Sequence, residues 1–281
     1  MSTVRHPGRM AGLNSRQAWV PGGRSIADHC PRYGRIVTRH LDWEGSFNAR
    51  DLGGLAAAGG RTTRRGALVR SENLDRLAPA GWQRLREHGV RTVVDLRNHD
   101  QGAAALDDAV TGVRTVRVPL EGDHELDPEF WRVYEPELSC TPLYYRPFLE
   151  RMPQRAAAVV AVVADAEPGG VLVHCAAGRD RTGLVVALLL ALVGVDAAII
   201  AADHELSAER AAAGYAFHQR PDETPAVRAV LDRHGIGWQA ALIAALDGLD
   251  VETLLLDAGV TRSQLAAVRA RLLDAPVLIG R

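Results

Sequence analysis

One stretch constrains this chain more than any other: Val171-Leu172-Val173-His174-Cys175-Ala176-Ala177-Gly178-Arg179-Asp180-Arg181-Thr182-Gly183. The residues up to His174 read as a short apolar strand, and Leu184 to Val195, stopped by Asp196, as a buried helix too short to cross a bilayer. Between them lies a loop of small residues. A loop that enters a helix directly from a strand points several backbone N–H groups at one spot and adds the positive end of the helix dipole, which makes an anion cradle. Ala176, Ala177 and Gly178 let the backbone curl close to such an anion. Arg181, six positions after Cys175, brings a planar fork of donors that can hold two oxygens. The same positive surroundings lower the pKa of a thiol at the strand end, so Cys175 is the candidate nucleophile. Thr182 is placed to bond the sulfur, and His174 to orient the loop.

The rest of the chain supplies a matching frame. Leu68-Val69-Arg70, Val90 to Leu96 and Val113 to Val118 read as strands; Pro79 to His88, closed by Gly89, and Tyr144 to Ala164 read as helices. From Thr182 onward the pattern is almost all helix. Strands alternating with helices predict an α/β fold with a mainly parallel central sheet and a helical C-terminal layer. Asp51-Leu52-Gly53-Gly54 and Ala58-Gly59-Gly60 are turn chemistry. A length of 281 residues suits one domain plus a tail. Residues 1–33, rich in Pro, Gly and Arg, read as a poorly ordered tail, and 34–281 as the domain.

Composition closes off other classes. The net charge is −1, giving no global field for nucleic acid or an anionic membrane. All 33 basic residues are Arg, a bias best assigned to coding composition. The three cysteines, Cys30, Cys140 and Cys175, are too few and too scattered for a disulfide framework or a structural zinc site. Neither a secretory signal nor a transmembrane run is present in the sequence. The expectation is a cytoplasmic enzyme without metal or cofactor.

His174-Cys175 through Arg181-Thr182-Gly183 resembles the HCxxGxxRTG signature of cysteine-dependent tyrosine and dual-specificity phosphatases. Asn48-Ala49-Arg50-Asp51-Leu52-Gly53-Gly54 is similar to the NFRDLGG opening of an atypical bacterial group of tyrosine/lipid phosphatases, with Ala49 where that group usually has Phe. In that group a basic residue and an Asp usually precede the clamp Arg; here they are Arg179 and Asp180. The resemblance implies a tyrosine phosphatase-like fold, a phosphocysteine route, and phosphate bound by residues 176–182.

That route needs an acid for the leaving oxygen and a base for water. Three carboxylates compete. Asp95 ends a strand, where parallel sheets face their ligand crevice, and matches the acid position proposed in the resembling group. Asp180 lies within the loop. Asp123 follows a strand in Glu121-Gly122-Asp123-His124. Arg97 can bond Asp95 and hold it in place. The substrate reads as a phosphotyrosine protein, with dual specificity as one alternative and phosphoinositide as another if Arg179 supplies a second cation. Residues 207–234 form a candidate helical lid, bringing Arg210, Arg220 and Arg228 toward an anionic substrate. Cys140 is a candidate partner for Cys175 on oxidation. The rival functions are a non-catalytic phosphate-binding module, which the intact Cys175, Arg181 and Asp set does not favour, and a sulfur transferase, whose loop lacks the Arg-Thr-Gly exit.

Overall fold

The computed structural model describes residues 39–101, 108–122, 127–138, 140–217 and 219–275. The tail, Cys30 and Asp123 lie outside the described residues. Arg39–Arg281 cluster as one compact unit.

Five strands make the sheet: β1 (Arg50–Asp51), β2 (Leu68–Ser71), β3 (Val90–Asp95), β4 (Arg114–Arg117) and β5 (Gly170–His174). Their order is β1-β2-β5-β3-β4; β1 is antiparallel to β2 and all other pairs are parallel. Asp51, read as turn chemistry, thus belongs to a two-residue edge strand. Side chains alternate between the faces with the period of two that strands impose. Leu68, Val94, Val171 and Val173 join the larger core cluster, whereas Val69, Val93 and Leu172 join a smaller one with Trp43, Leu85 and Ala49. Ala49 sits buried in that smaller cluster, at the position where the resembling group usually carries Phe.

The helices follow from local signals. The helix α1 (Pro79–Glu87) has Pro at its first position, where the missing N–H is harmless, and ends before Gly89 at φ 97°. Two short helices follow, α2 (Asp108–Thr111) and α3 (Pro128–Leu138). The single helix expected over 144–164 is two: α4 (Tyr145–Arg151) and α5 (Pro153–Asp165). Pro153 lacks an N–H and pushes Met152 out of helical geometry, to φ −133° and ψ 49°. Central helix α6 (Asp180–Leu192) is apolar nearly all round and buried on nearly every side. Beyond it lie α7 (Ala197–Phe217), α8 (Thr224–Arg233), α9 (Trp238–Leu246), α10 (Val251–Asp257) and α11 (Arg262–Leu272). Among the described residues no helix is long and apolar enough to cross a membrane.

The register positions the chemistry. Ser71, His174, Asp95 and Arg117 are partners in one row across β2, β5, β3 and β4, at the C-terminal edge of the sheet. Cys175 follows directly on the central strand of that row.

Candidate active site

The loop from Cys175 to Asp180 is held by its carbonyls. His174 Nδ1 lies 3.0 Å from the Cys175 carbonyl, which can only accept, so this nitrogen carries the ring proton. Asn73 donates to the Ala176 carbonyl from both its backbone N (3.1 Å) and Nδ2 (2.9 Å). Asn48 Nδ2 donates to the Ala177 carbonyl at 3.2 Å, and Arg70 Nη2 to that of Gly178 at 2.9 Å. The Arg179 carbonyl takes the Gly183 N–H at 2.7 Å, and the Asp180 carbonyl takes the Tyr145 hydroxyl at 2.8 Å. Every carbonyl of the loop is therefore tied. Among the described residues, none of the amides of 176–179 donates to protein. Unpaired N–H groups of this kind, at the mouth of α6, are what an oxyanion needs. Gly178 is required here: its φ is 68°, and a Cβ would lie 2.4 Å from the Ser71 carbonyl oxygen.

Cys175 is 3% exposed. Arg181 sets its guanidinium between Gln101 (Nη1 to Oε1, 2.6 Å) and Glu121 (Nε to Oε2, 3.5 Å). Burial pulls the Arg181 pKa down, but the charge of Cys175, then that of Glu121, raise it above its ordinary value. Thr182 Oγ1 is buried and, among the described residues, has no hydrogen-bond partner, so the expected hydroxyl–sulfur bond is not formed here.

The two expected acids within the described residues, Asp95 and Asp180, differ. Asp95 is pinned: Arg97 N (3.0 Å), Arg97 Nη2 (2.9 Å) and Arg117 Nη2 (2.9 Å) all donate to its carboxylate. Arg97 also bridges to Asp75, at 2.6 Å. Burial raises the Asp95 pKa, yet the Arg97 bonds and the His174 charge outweigh it and hold the carboxyl below its usual range. Asp180 goes the other way. Burial raises its pKa more than Arg179 and Arg181 lower it. A raised carboxyl pKa is the direction that suits a proton donor.

Arg179 is not the exposed second cation that a multiply phosphorylated ligand would require. It is 1% exposed, its Nε pairs with Asp180 at 3.2 Å, and its guanidinium carbon lies 5.6 Å from the centre of the Trp238 ring. Cys140 is unsuited to exchange with Cys175. The Asp180 charge, then burial, push its thiol up to about 12, so it stays protonated at neutral pH.

Sequence reasoning missed a buried ion cluster under the loop. Asp203 of α7 meets Arg39 (2.8 Å), Arg50 (3.2 Å) and Arg70 (3.1 Å). Arg50 also donates to Ser207 Oγ at 2.7 Å and to Asn48 Oδ1 at 2.5 Å. Through Arg70 and Asn48 this cluster reaches the Gly178 and Ala177 carbonyls. The opening motif thereby gains a physical role. Asn48 and Arg50 brace the loop, Asp51 caps Gly53 N (2.8 Å) and Gly66 N (2.9 Å), and a Cβ on Gly53 would strike Arg65 Cα at 2.3 Å. The available signal was Asp203 and His204 interrupting the apolar spacing of α7.

A cleft of about 210 Å³ opens beside the loop, lined by Ala176 and Ala177, by Glu72, Asn73, Asp75 and Arg76, and by Ala211, Gly214, Tyr215 and Arg220. The C-terminal half of α7 is one wall. Of the three lid arginines, Arg220 lines the cleft, while Arg210 and Arg228 are exposed elsewhere on these helices. Phe217, at the end of α7, packs on Phe47 with ring centres 4.9 Å apart and takes a hydrogen bond from Arg76 on its carbonyl at 3.3 Å.

A strand-end cysteine, a loop whose amides of 176–179 have no protein acceptor among the described residues, and an arginine at the start of α6 lie within one short segment. Residues 41–274 match the tyrosine phosphatase family, and the chain belongs to that family. A Cupriavidus necator protein named as a tyrosine-protein phosphatase is 34% identical over 254 residues, 86% of each chain. The triple specificity protein phosphatase PtpB of Mycobacterium tuberculosis is 30% identical over 275 residues, 82% of this chain and 97% of its own. A tyrosine-protein phosphatase of Nostoc commune is 30% identical over 219 residues, 73% of this chain and 74% of its own.

Proposed function

We propose that the chain hydrolyses phosphotyrosine in proteins through a phosphocysteine intermediate, with Cys175 as nucleophile, Arg181 as clamp and Asp180 as acid. The observation that carries the reading is the loop whose carbonyls are all tied, leaving its amides to an anion beside Cys175. In this reading the Cys175 thiolate attacks phosphorus. The P–O bond to the leaving group breaks, and the departing phenoxide takes the Asp180 proton. The amides of 176–181 and the Arg181 fork neutralise the three equatorial oxygens as charge develops. Water then attacks phosphorus and gives its proton to the Asp180 carboxylate; the S–P bond breaks, releasing inorganic phosphate and returning the thiolate. Neither half-reaction calls for a metal or a cofactor.

Asp95 acts here as a structural anchor, because a low-pKa carboxylate bonded to two guanidiniums has no proton to give. Phosphoinositide hydrolysis loses its main support with Arg179 buried against Trp238. The α7–α8 segment within 207–234 serves as the wall that orients the substrate protein. A nucleophilic thiol needs reducing surroundings, which favours the cytoplasm.

The test is turnover of phosphotyrosine peptides, phosphoserine peptides and phosphoinositides by one preparation, in chelator, with Cys175→Ser and Arg181→Lys alongside. We expect phosphotyrosine to lead, vanadate to inhibit, and both variants to lose at least about a hundredfold. Undiminished turnover by Cys175→Ser rejects the mechanism; a lead for phosphoinositide rejects the substrate class.

A further inference from the structure

Asp180 is held from two directions, and both lead to Trp238. The first is a buried hydrogen-bond chain. Trp238 Nε1 donates to His204 Nδ1 at 2.8 Å; His204 Nε2 lies 2.9 Å from the Tyr145 hydroxyl; that hydroxyl donates to the Asp180 carbonyl at 2.8 Å. The direction is fixed at both ends. An indole N–H only donates and a carbonyl only accepts, so neutral His204 carries its proton on Nε2 and gives it to Tyr145. Burial, then Arg70 and Arg50, keep the His204 pKa well below its usual value, so the ring stays neutral. The second direction is a stack: the Trp238 ring lies beneath the Arg179 guanidinium, whose Nε pairs with the Asp180 carboxylate at 3.2 Å. Gly183 clears the way, since a Cβ there would lie 2.3 Å from His204 Nε2 and 2.7 Å from the Tyr145 hydroxyl oxygen.

We infer that Tyr145, His204 and Trp238 are positioning residues for the Asp180 acid: the chain fixes the backbone of residue 180 and the stacked Arg179 fixes its carboxyl. None of the three touches the reacting atoms in this account. The α9 helix, remote in sequence, thereby takes part in proton delivery. The inference rests on Asp180 being the acid.

The experiment compares kcat/KM, which reports transfer to the thiol, for phenyl phosphate and for 2,4-dinitrophenyl phosphate. A phenolate needs a proton; a dinitrophenolate scarcely does. Asp180→Asn sets the reference and should lose far more on the poor leaving group. Tyr145→Phe, which keeps the ring, and Trp238→Phe, which keeps an aromatic face but deletes the N–H, should be partial copies. We expect about tenfold to hundredfold loss on phenyl phosphate and much less on the dinitrophenyl ester. Should one variant fail to fold, as judged by its melting curve, the other decides. Equal loss on both esters, or none on either, in the folded variant overturns the inference while a graded Asp180→Asn leaves the acid standing. An ungraded Asp180→Asn overturns the acid assignment, and the inference with it.

Discussion

Asp203→Asn puts the greatest load on this account of the loop. The asparagine keeps the shape and one acceptor oxygen but removes the negative charge shared by Arg39, Arg50 and Arg70. Arg50 and Arg70 have side-chain exposures of 0% and 1%, so water cannot replace the carboxylate for them; Arg39, at 12%, can relax. Strain is already visible at Arg50, whose pKa is pulled down to about 9 by burial and then by Arg70, against the opposing pull of Asp203. Leaving a buried charge without its partner costs about 3–5 kcal/mol. For a domain of this size that lowers Tm by about 6–20 °C, at about 2–4 °C per kcal/mol. Thermal unfolding followed by circular dichroism reads the shift directly. Because Arg70 also donates to the Gly178 carbonyl, kcat/KM of the folded variant should fall as well. A variant melting within about 2 °C of wild type, less than 1 kcal/mol, would refute the reasoning.

Three further outcomes follow from the same geometry. Asp180→Asn should abolish the fall in kcat/KM as pH rises through the Asp180 pKa, which lies above the ordinary carboxylate value, whereas Asp95→Asn should keep that limb and lower Tm instead; a limb lost only with Asp95 reverses the assignment. Gly183→Ala should destabilise by about 1–3 kcal/mol, since its Cβ meets buried His204 and Tyr145 atoms that cannot swing away; an unchanged melting curve contradicts this. Stability should decline as pH drops below about 6.5, where His40, His174 and His204 take up protons in the unfolded chain but resist them when folded. It should decline further below about 3.9, where the lowered carboxyls of Asp51, Asp95 and Asp203 are protonated more readily unfolded than folded. Asp180, with its raised pKa, contributes in the opposite sense. A flat stability profile from pH 7 to 5 would contradict the histidine part.

The segment 171–183 was legible because its physics is local: strand direction, small residues and a cation at a set offset lie within one short run. The parallel strands were legible from their β-branched runs. Longer couplings were not. Arg50 and Arg70 meet Asp203 across 153 and 133 residues, and no periodicity says which buried charge finds which. The strand-end place of Asp95 was legible, but its task depends on Arg117, its register partner in β4. Arg179 read as a surface or ligand-facing cation because nothing nearby announces that Trp238 will stack beneath it. The break at Met152 was readable from Pro153, but the unbroken apolar spacing on either side masked it.

The central claim is a covalent bond between Cys175 and phosphorus during turnover. Acid quench of the wild-type reaction with p-nitrophenyl phosphate on the millisecond scale, followed by mass spectrometry of the Cys175 peptide, tests it most directly. The account predicts a phosphoryl adduct on Cys175 before steady state and none in Cys175→Ser. Phosphate release at the wild-type rate with no adduct at any quench time would contradict it.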